Sequence, residues 1–349
     1  MVINAVKLKD LCIGSDYPIQ LVGEIGQNHN GSVETAKEMI DMCKRSGIKI
    51  VKFQKRDIDN EFTKEAYNKP YINRNSFGKI YGEHRKFLEL SKEEHLELKI
   101  YAENQGMIYF CTPCDIQSLK IMEEIDCPFY KVASRDITNI PLLKELGKIG
   151  KSVIISTGMA NKNDIDSAIK YLNLPVNKLI IMQCTSSYPC EPKDTNLNVI
   201  KTFKELYPYP IGFSDHTEGI AAAKIAASIG VNIIEKHITL DKASKGTDHK
   251  CSCEFDDLRD LTYFIKNVSI YLGSSNKKLE DCVSDTKIKL MKSLTSIKNI
   301  KKGEILTEEM ICLKCPGNGL FYEDLHKILG KKAKYDIDTD ITLSIDNFH

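Results

Sequence analysis

The chain has 349 residues, 42% of them apolar and 28% charged, enough for one large barrel with an appendage or for two domains. Forty-nine Lys and Arg against 48 Asp and Glu leave a net charge of +1, which excludes the strong basic excess of a nucleic-acid-binding domain. No apolar run reaches the length of a membrane span, since Lys224 interrupts the longest Ala/Ile stretch. The opening MVINAVKLKDLCIGSDY lacks the basic-then-apolar design of a secretory signal, so the twelve Cys are expected as reduced thiols of a cytoplasmic protein. Neither a nucleic acid nor a membrane is expected as a partner.

Up to about residue 240, short Ile/Val-rich runs alternate with amphipathic stretches. The predicted strands are Ile19–Gly26, Lys49–Lys55, Met107–Pro113, Phe129–Ser134, Ser152–Gly158, Leu179–Ser186, Pro210–Thr217 and Val231–Thr239, continuous and apolar as buried parallel strands are. Between the first two, Ser32 is placed to cap a helix with Val33, Ala36, Ile40 and Cys43 on one face and Gly47 at its end. Further helices are predicted from Lys92 to Gln105, from Glu218 to Ser228 and from Asp256 to Leu272. Eight strand–helix units close a TIM barrel of about 250 residues. The rival doubly wound sheet normally carries G-x-G-x-x-G after its first strand, which VGEIGQNHNG at 22–31 does not fit.

The predicted organisation is a barrel at 1–272, a linker at 273–288 rich in Gly, Ser and mixed charge, and a small β-rich domain at 289–349. Its tail holds a PGNG turn at 316–319 and two short helices near Thr307–Met310 and Glu323–Ile328.

Barrel chemistry sits at the C-terminal strand ends, and the unusual residues of this sequence concentrate there. Glu24 falls in the first strand, Lys52 and Gln54 in the second, Thr112 in the third, Lys131 and Ser134 in the fourth. Thr185 and Ser186 end the sixth, Ser214 and His216 the seventh, Glu235 and His237 the eighth. Side chains two apart project together, and a charge inside an apolar strand costs several kcal/mol unless paired or needed. His216 and His237, at matching depth, point to a divalent transition metal rather than two hydrogen-bonded structural imidazoles. Lys52 and Lys131 suit a phosphate or carboxylate, although ion pairs with Glu24 or Asp136 would explain either alone. Cys111-x-x-Cys114 and Cys251-x-Cys253 lack a second pair at finger spacing and do not make a zinc site. Arg74–Arg85 is read as a long loop after the second strand, either a lid or a solvated charge run.

These residues fall within longer stretches that carry a family resemblance: GEIGQNHNGSVETAKEMID at 23–41, KIVKFQK at 49–55, YKVASRDITNIPLL at 130–143, ISTGMA at 155–160, QCTSSYP at 183–189, IGFSDHTEGI at 211–220, EKHITLDKASKGTDHKCS at 235–252 and IKKGEILTEEM at 300–310. Through them the chain resembles, almost end to end, the sialic acid (N-acylneuraminate) synthase family. The resemblance implies a TIM barrel followed by an antifreeze-like SAF domain. It also implies condensation of phosphoenolpyruvate with an N-acyl hexosamine, N-acetylmannosamine or its 6-phosphate being typical, to a nine-carbon 2-keto acid and phosphate. Another phosphoenolpyruvate–aldose enzyme such as a KDO 8-phosphate synthase, a Schiff-base aldolase using Lys131, and a non-catalytic sugar-binding homologue are the alternatives. Carried over residue by residue, His216 and His237 would hold Mn²⁺ or Mg²⁺ and Glu24 would act beside it. Lys52, Thr112, Lys131, Ser134, Ser186 and Ser214 would bind phosphoenolpyruvate, and Gln54, Asp136, Tyr188 and Asp248 would face the sugar. A domain-swapped homodimer is implied as well.

The sequence departs from the bacterial pattern at Cys315, where an Arg precedes Pro-Gly. It departs again at Ser186, where Asn is common, and at Arg135-Asp136, where Gly-Glu is usual. The segment KPYINRNSFGKIYGEHR at 69–85 looks more like that of animal synthases, and Arg74 is expected to meet any sugar phosphate.

Overall fold

The Ile/Val-rich runs become strands because each is apolar on both faces and must be covered twice, by neighbouring side chains within and by helices without. The computed structural model describes residues 5–349, which divide into two compact units, 5–273 and 274–349. In the first, β1 (Gln20–Gly26), β2 (Ile50–Lys55), β3 (Ile108–Pro113), β4 (Tyr130–Val132), β5 (Val153–Ser156), β6 (Leu179–Cys184), β7 (Ile211–Asp215) and β8 (Ile233–His237) form a closed parallel barrel in chain order, β8 pairing back onto β1. A hairpin of Val6–Leu8 and Leu11–Ile13 precedes it.

Helix boundaries follow the caps. The helix Val33–Arg45 starts where the Ser32 side chain accepts from the Thr35 amide, and the chain leaves it at Gly47, whose positive φ suits glycine. The helix Lys92–Asn104 starts at a Ser91/Glu94 capping box. The stretch from Arg56 to Leu90 departs from the expected loop: it holds short helices at Ile58–Glu61, Lys64–Asn68 and Tyr81–Leu88, the last placing Arg85 on a regular scaffold.

Register positions the site. Glu24 of β1 lies level with His237 of β8 and Lys52 of β2, Glu235 with Ser214 of β7, and Gln54 with Thr112 of β3. A bulge between Glu24 and Gly26 shifts β1 at its C-terminal end.

The second unit pairs Ser293–Ser296 with Ile311–Lys314 antiparallel and adds isolated bridges such as Ile300 to Ile337. Leu294, Ile300, Leu306, Ile328, Ile337 and Leu343 give it a core of its own. The short helices expected there are three-ten turns, Glu308–Met310 and Tyr322–Lys327. The segment read as linker ends in the helix Ser284–Leu290, which extends past residue 288.

Candidate active site

Every polar residue carried over from the family resemblance, with one exception, lines a single cavity of about 210 Å³ at the C-terminal end of the barrel. The exception is Asp136. Its carboxylate pairs with Arg135 Nε at 3.3 Å and does not reach the cavity, because Ser134–Asp136 is a three-ten turn. At three residues per turn, the side chain two places after Ser134 leaves the face that Ser134 occupies.

Four charges from three quadrants of the barrel meet inside. Lys52 Nζ stands 2.9 Å from Glu24 Oε1 and 3.6 Å from Glu235 Oε1, and Lys131 Nζ stands 3.1 Å from the same Glu235 oxygen. All four residues are at most 4% exposed. Thr112 Oγ1 accepts from Lys52 Nζ at 3.1 Å, Glu235 Oε1 from Ser214 Oγ at 3.1 Å, and Glu24 Oε1 from Gln54 Nε2 at 2.8 Å. Burial opposes ionisation of Glu235, yet Lys131 and Lys52 hold its pKa at about 2. Burial raises that of Glu24 against the pull of Lys52, and the nearby Glu235 anion adds to the rise. The two carboxyls therefore divide the work: one is a fixed anion, the other can carry a proton.

The polar complement is deliberately incomplete. Glu24 Oε2, Glu235 Oε2, Ser156 Oγ and His237 Nδ1 are buried without a hydrogen-bond partner, and all four residues line the cavity. Buried polar atoms are nearly always satisfied in folded proteins, so these four, with Gln27 Nε2, Arg56 Nε, Arg85 Nε and Arg135 Nη2 of the same lining, mark a binding site. Gly158 shapes the same wall, since a Cβ there would stand 2.4 Å from Ser186 Oγ and 2.9 Å from Cys184 Sγ.

Opposite the lysines, the His216 and His237 rings lie 5.4 Å apart, and Tyr188 packs on His216 at 4.2 Å. The Thr185 carbonyl accepts from His216 Nδ1 at 3.0 Å, which in the neutral ring puts the lone pair on Nε2. Burial holds His237 neutral, with a pKa near 3 against the opposing pull of Asp248, whose Oδ2 is 4.0 Å from its unpartnered Nδ1. Burial pulls the His216 pKa down, but Cys184 and the Thr185 carbonyl outweigh it and raise it above the usual value. Once His216 gives up its proton, the two imidazoles offer lone pairs that suit a divalent metal. Among the described residues no group of three or more His, Cys, Asp or Glu could hold one unaided, so substrate or water would complete the shell.

The chain matches the NeuB family over residues 39–277 and the SAF domain over 292–348. Human N-acetylneuraminate-9-phosphate synthase is 37% identical over 95% of this chain and 93% of its own length. The chain belongs to the NeuB family. The N,N'-diacetyllegionaminic acid synthase of Campylobacter jejuni is 33% identical over 90% of this chain and 95% of its own. Among solved structures, the N-acetylneuraminic acid synthetase of Leptospira borgpetersenii, crystallised with citrate, superposes with a TM-score of 0.71. It is 30% identical and covers 81% of this chain and 95% of its own.

Several cavity residues of this NeuB-family chain were given no role from sequence: Arg56, Arg85, Arg135, Gln27, Cys184 and Glu235. Arg56 was legible, two places beyond Gln54. Arg135 registered only as a departure from the family pattern. Glu235 was seen to project with His237, but its part in binding both lysines depends on closure of β8 against β7 and β1.

Proposed function

We propose that the barrel unit condenses phosphoenolpyruvate with an open-chain N-acyl hexosamine and water, giving a nine-carbon 2-keto acid and inorganic phosphate. The observation that carries this is the convergence of two buried lysines and a serine–threonine shell on unsatisfied cavity space that a histidine pair also lines. Lys52 and Lys131, with Thr112, Ser134, Ser186 and Ser214, bind the anionic enol phosphate and fix its C3 toward the acceptor. Gln54, Tyr188 and Asp248 line the side from which the sugar approaches. Asp136, also read as sugar-facing, lies off the cavity and is left out of this set.

In the reaction, C3 attacks the aldehyde carbon and the aldehyde oxygen takes a proton, which Glu24 is placed to hold at Oε2. Water then adds at C2, and the tetrahedral product loses phosphate as the C2–O bond breaks. Lys52 and Lys131 offset the charge that gathers on the departing group. Mn²⁺ or Mg²⁺ fits beside His216 and His237 and would supply Lewis acidity toward the sugar's carbonyl oxygen.

The human relative is named for a 9-phosphorylated product and the Campylobacter one for a diacetamido sugar acid, so acceptor panels should include both types. Phosphate release from phosphoenolpyruvate that requires an N-acyl hexosamine and a divalent metal supports the proposal; no release across the panel rejects it. A homodimer with exchanged small domains is proposed from the family resemblance, and light scattering at one chain's 39.5 kDa would refute it. A cytoplasmic setting is proposed on the twelve free cysteines; no helix of the described residues is long and apolar enough to cross a membrane.

A further inference from the structure

Three guanidinium groups line the cavity that holds the lysines: Arg56, Arg85 and Arg135. Arg56 is 7% exposed, donates from Nη1 to Glu61 at 3.2 Å and from Nη2 to Gln54 at 2.7 Å, and leaves Nε without a hydrogen bond, Glu89 being 3.8 Å away. Arg135 pairs with Glu61 and Asp136 but leaves Nη2 buried and unpartnered. Arg85 donates only to the neutral amide oxygen of Gln27, its Nε is also orphaned, and no carboxylate among the described residues lies within 4 Å of it. Glu61, Glu89 and Asp136, the carboxylates that partner the trio, do not line the cavity. Each arginine of the cluster thus keeps a buried N–H group with no acceptor.

Arg85 extends this cluster beyond the space that the lysines line. Arg85 also lines an adjoining chamber of about 480 Å³, together with Tyr71, Tyr81 and His84, and Tyr188 and Asp248 border both spaces. Those two residues are on the sugar side of the proposed site. Resting on the condensation proposed above, we infer that Arg56, Arg85 and Arg135 form a second anion subsite, which binds a phosphate ester on the distal end of the sugar acceptor. Guanidinium forks match a phosphate dianion bidentately, whereas a neutral acetamido sugar would leave Arg85 without a counter-charge and the free N–H groups of Arg56 and Arg135 unanswered. Arg74, the residue expected from sequence to meet such a phosphate, is exposed in a separate surface groove with Lys242, Lys245 and Lys250.

The test compares N-acetylmannosamine 6-phosphate with N-acetylmannosamine in the metal-supplemented enzyme. The wild type is expected to favour the phosphorylated sugar. In Arg85→Ala and Arg135→Ala the ratio of the two kcat/KM values should fall about tenfold to a hundredfold, the usual scale for a lost charged hydrogen bond. Arg85→Lys should recover part of it, and Arg74→Ala should leave it unchanged. Equal losses on both sugars, or a raised KM for phosphoenolpyruvate alone, would assign the trio to the enol phosphate and overturn the inference. Calorimetric titration with the same sugar phosphate reads the subsite without turnover. An inactive enzyme that still loses sugar-phosphate affinity in Arg85→Ala refutes the condensation and keeps the subsite; equal affinity in both refutes the subsite.

Discussion

Buried lysines on the two faces of the barrel strands are held in opposite ways. Lys236 of β8 is fully buried on the outer face of the barrel, 3.0 Å from Asp215 Oδ2 and 2.6 Å from the Thr217 carbonyl. Asp215 Oδ1 in turn accepts from the Thr217 amide and hydroxyl, both at 2.8 Å, so no polar atom of this set is left over. Lys131 and Lys52, on the inner face, share Glu235 and Glu24, and each carboxylate keeps one oxygen unpartnered. A buried charge is therefore not by itself a functional signal. Complete satisfaction marks a structural pair, and an incomplete set facing a cavity marks a site.

This contrast can be broken by mutation, and the largest effect should come from the inner set. Lys131→Ala is expected to lower turnover about a hundredfold to a thousandfold, the scale for losing one fixed charge-stabilising donor. It should destabilise the fold less than Asp215→Ala does, because Lys52 remains 3.6 Å from Glu235. Asp215→Ala, which strands Lys236 without a counter-charge, should cost about 3–5 kcal/mol in denaturant unfolding. Comparable stability losses for the two variants would erase the distinction.

A third expectation concerns burial without a partner charge. His29 is buried against Phe53, which pulls its pKa down to about 4, and its Nδ1 accepts from the Gly31 amide. The unfolded chain takes up this proton near pH 6.5 and the folded one only near 4, so stability should fall as pH drops through that window, by about 3 kcal/mol at most. Melting temperatures that track pH equally in wild type and His29→Gln would contradict it. The smallest effect is expected at Gly158. Its replacement by Ala pushes on Ser186 Oγ and should raise KM for phosphoenolpyruvate about tenfold, with kcat less affected.

The barrel was legible because buried parallel strands are continuous apolar runs, and all eight lie within the segments read from sequence. Edges were read too long where apolar character outlasts pairing. Phe129–Ser134 shortens to Tyr130–Val132, since Ser134 already begins a three-ten turn. The same turn explains Asp136, a residue whose direction depends on local helical pitch rather than strand alternation. Strand alternation did carry information on Lys236: it stands between Glu235 and His237 and so had to face the other way. What no spacing rule could supply was the arginine cluster. Arg56, Arg85 and Arg135 come from three separated segments, and only closure of the barrel brings them to one cavity.

The most direct measurement is equilibrium binding of phosphoenolpyruvate alone to the folded protein by titration calorimetry. Binding by the wild type that weakens about a hundredfold in Lys131→Ala and is retained in Lys236→Met is the result expected of an inner, incomplete charge set built for an anion. Equal affinity in wild type and Lys131→Ala would contradict it.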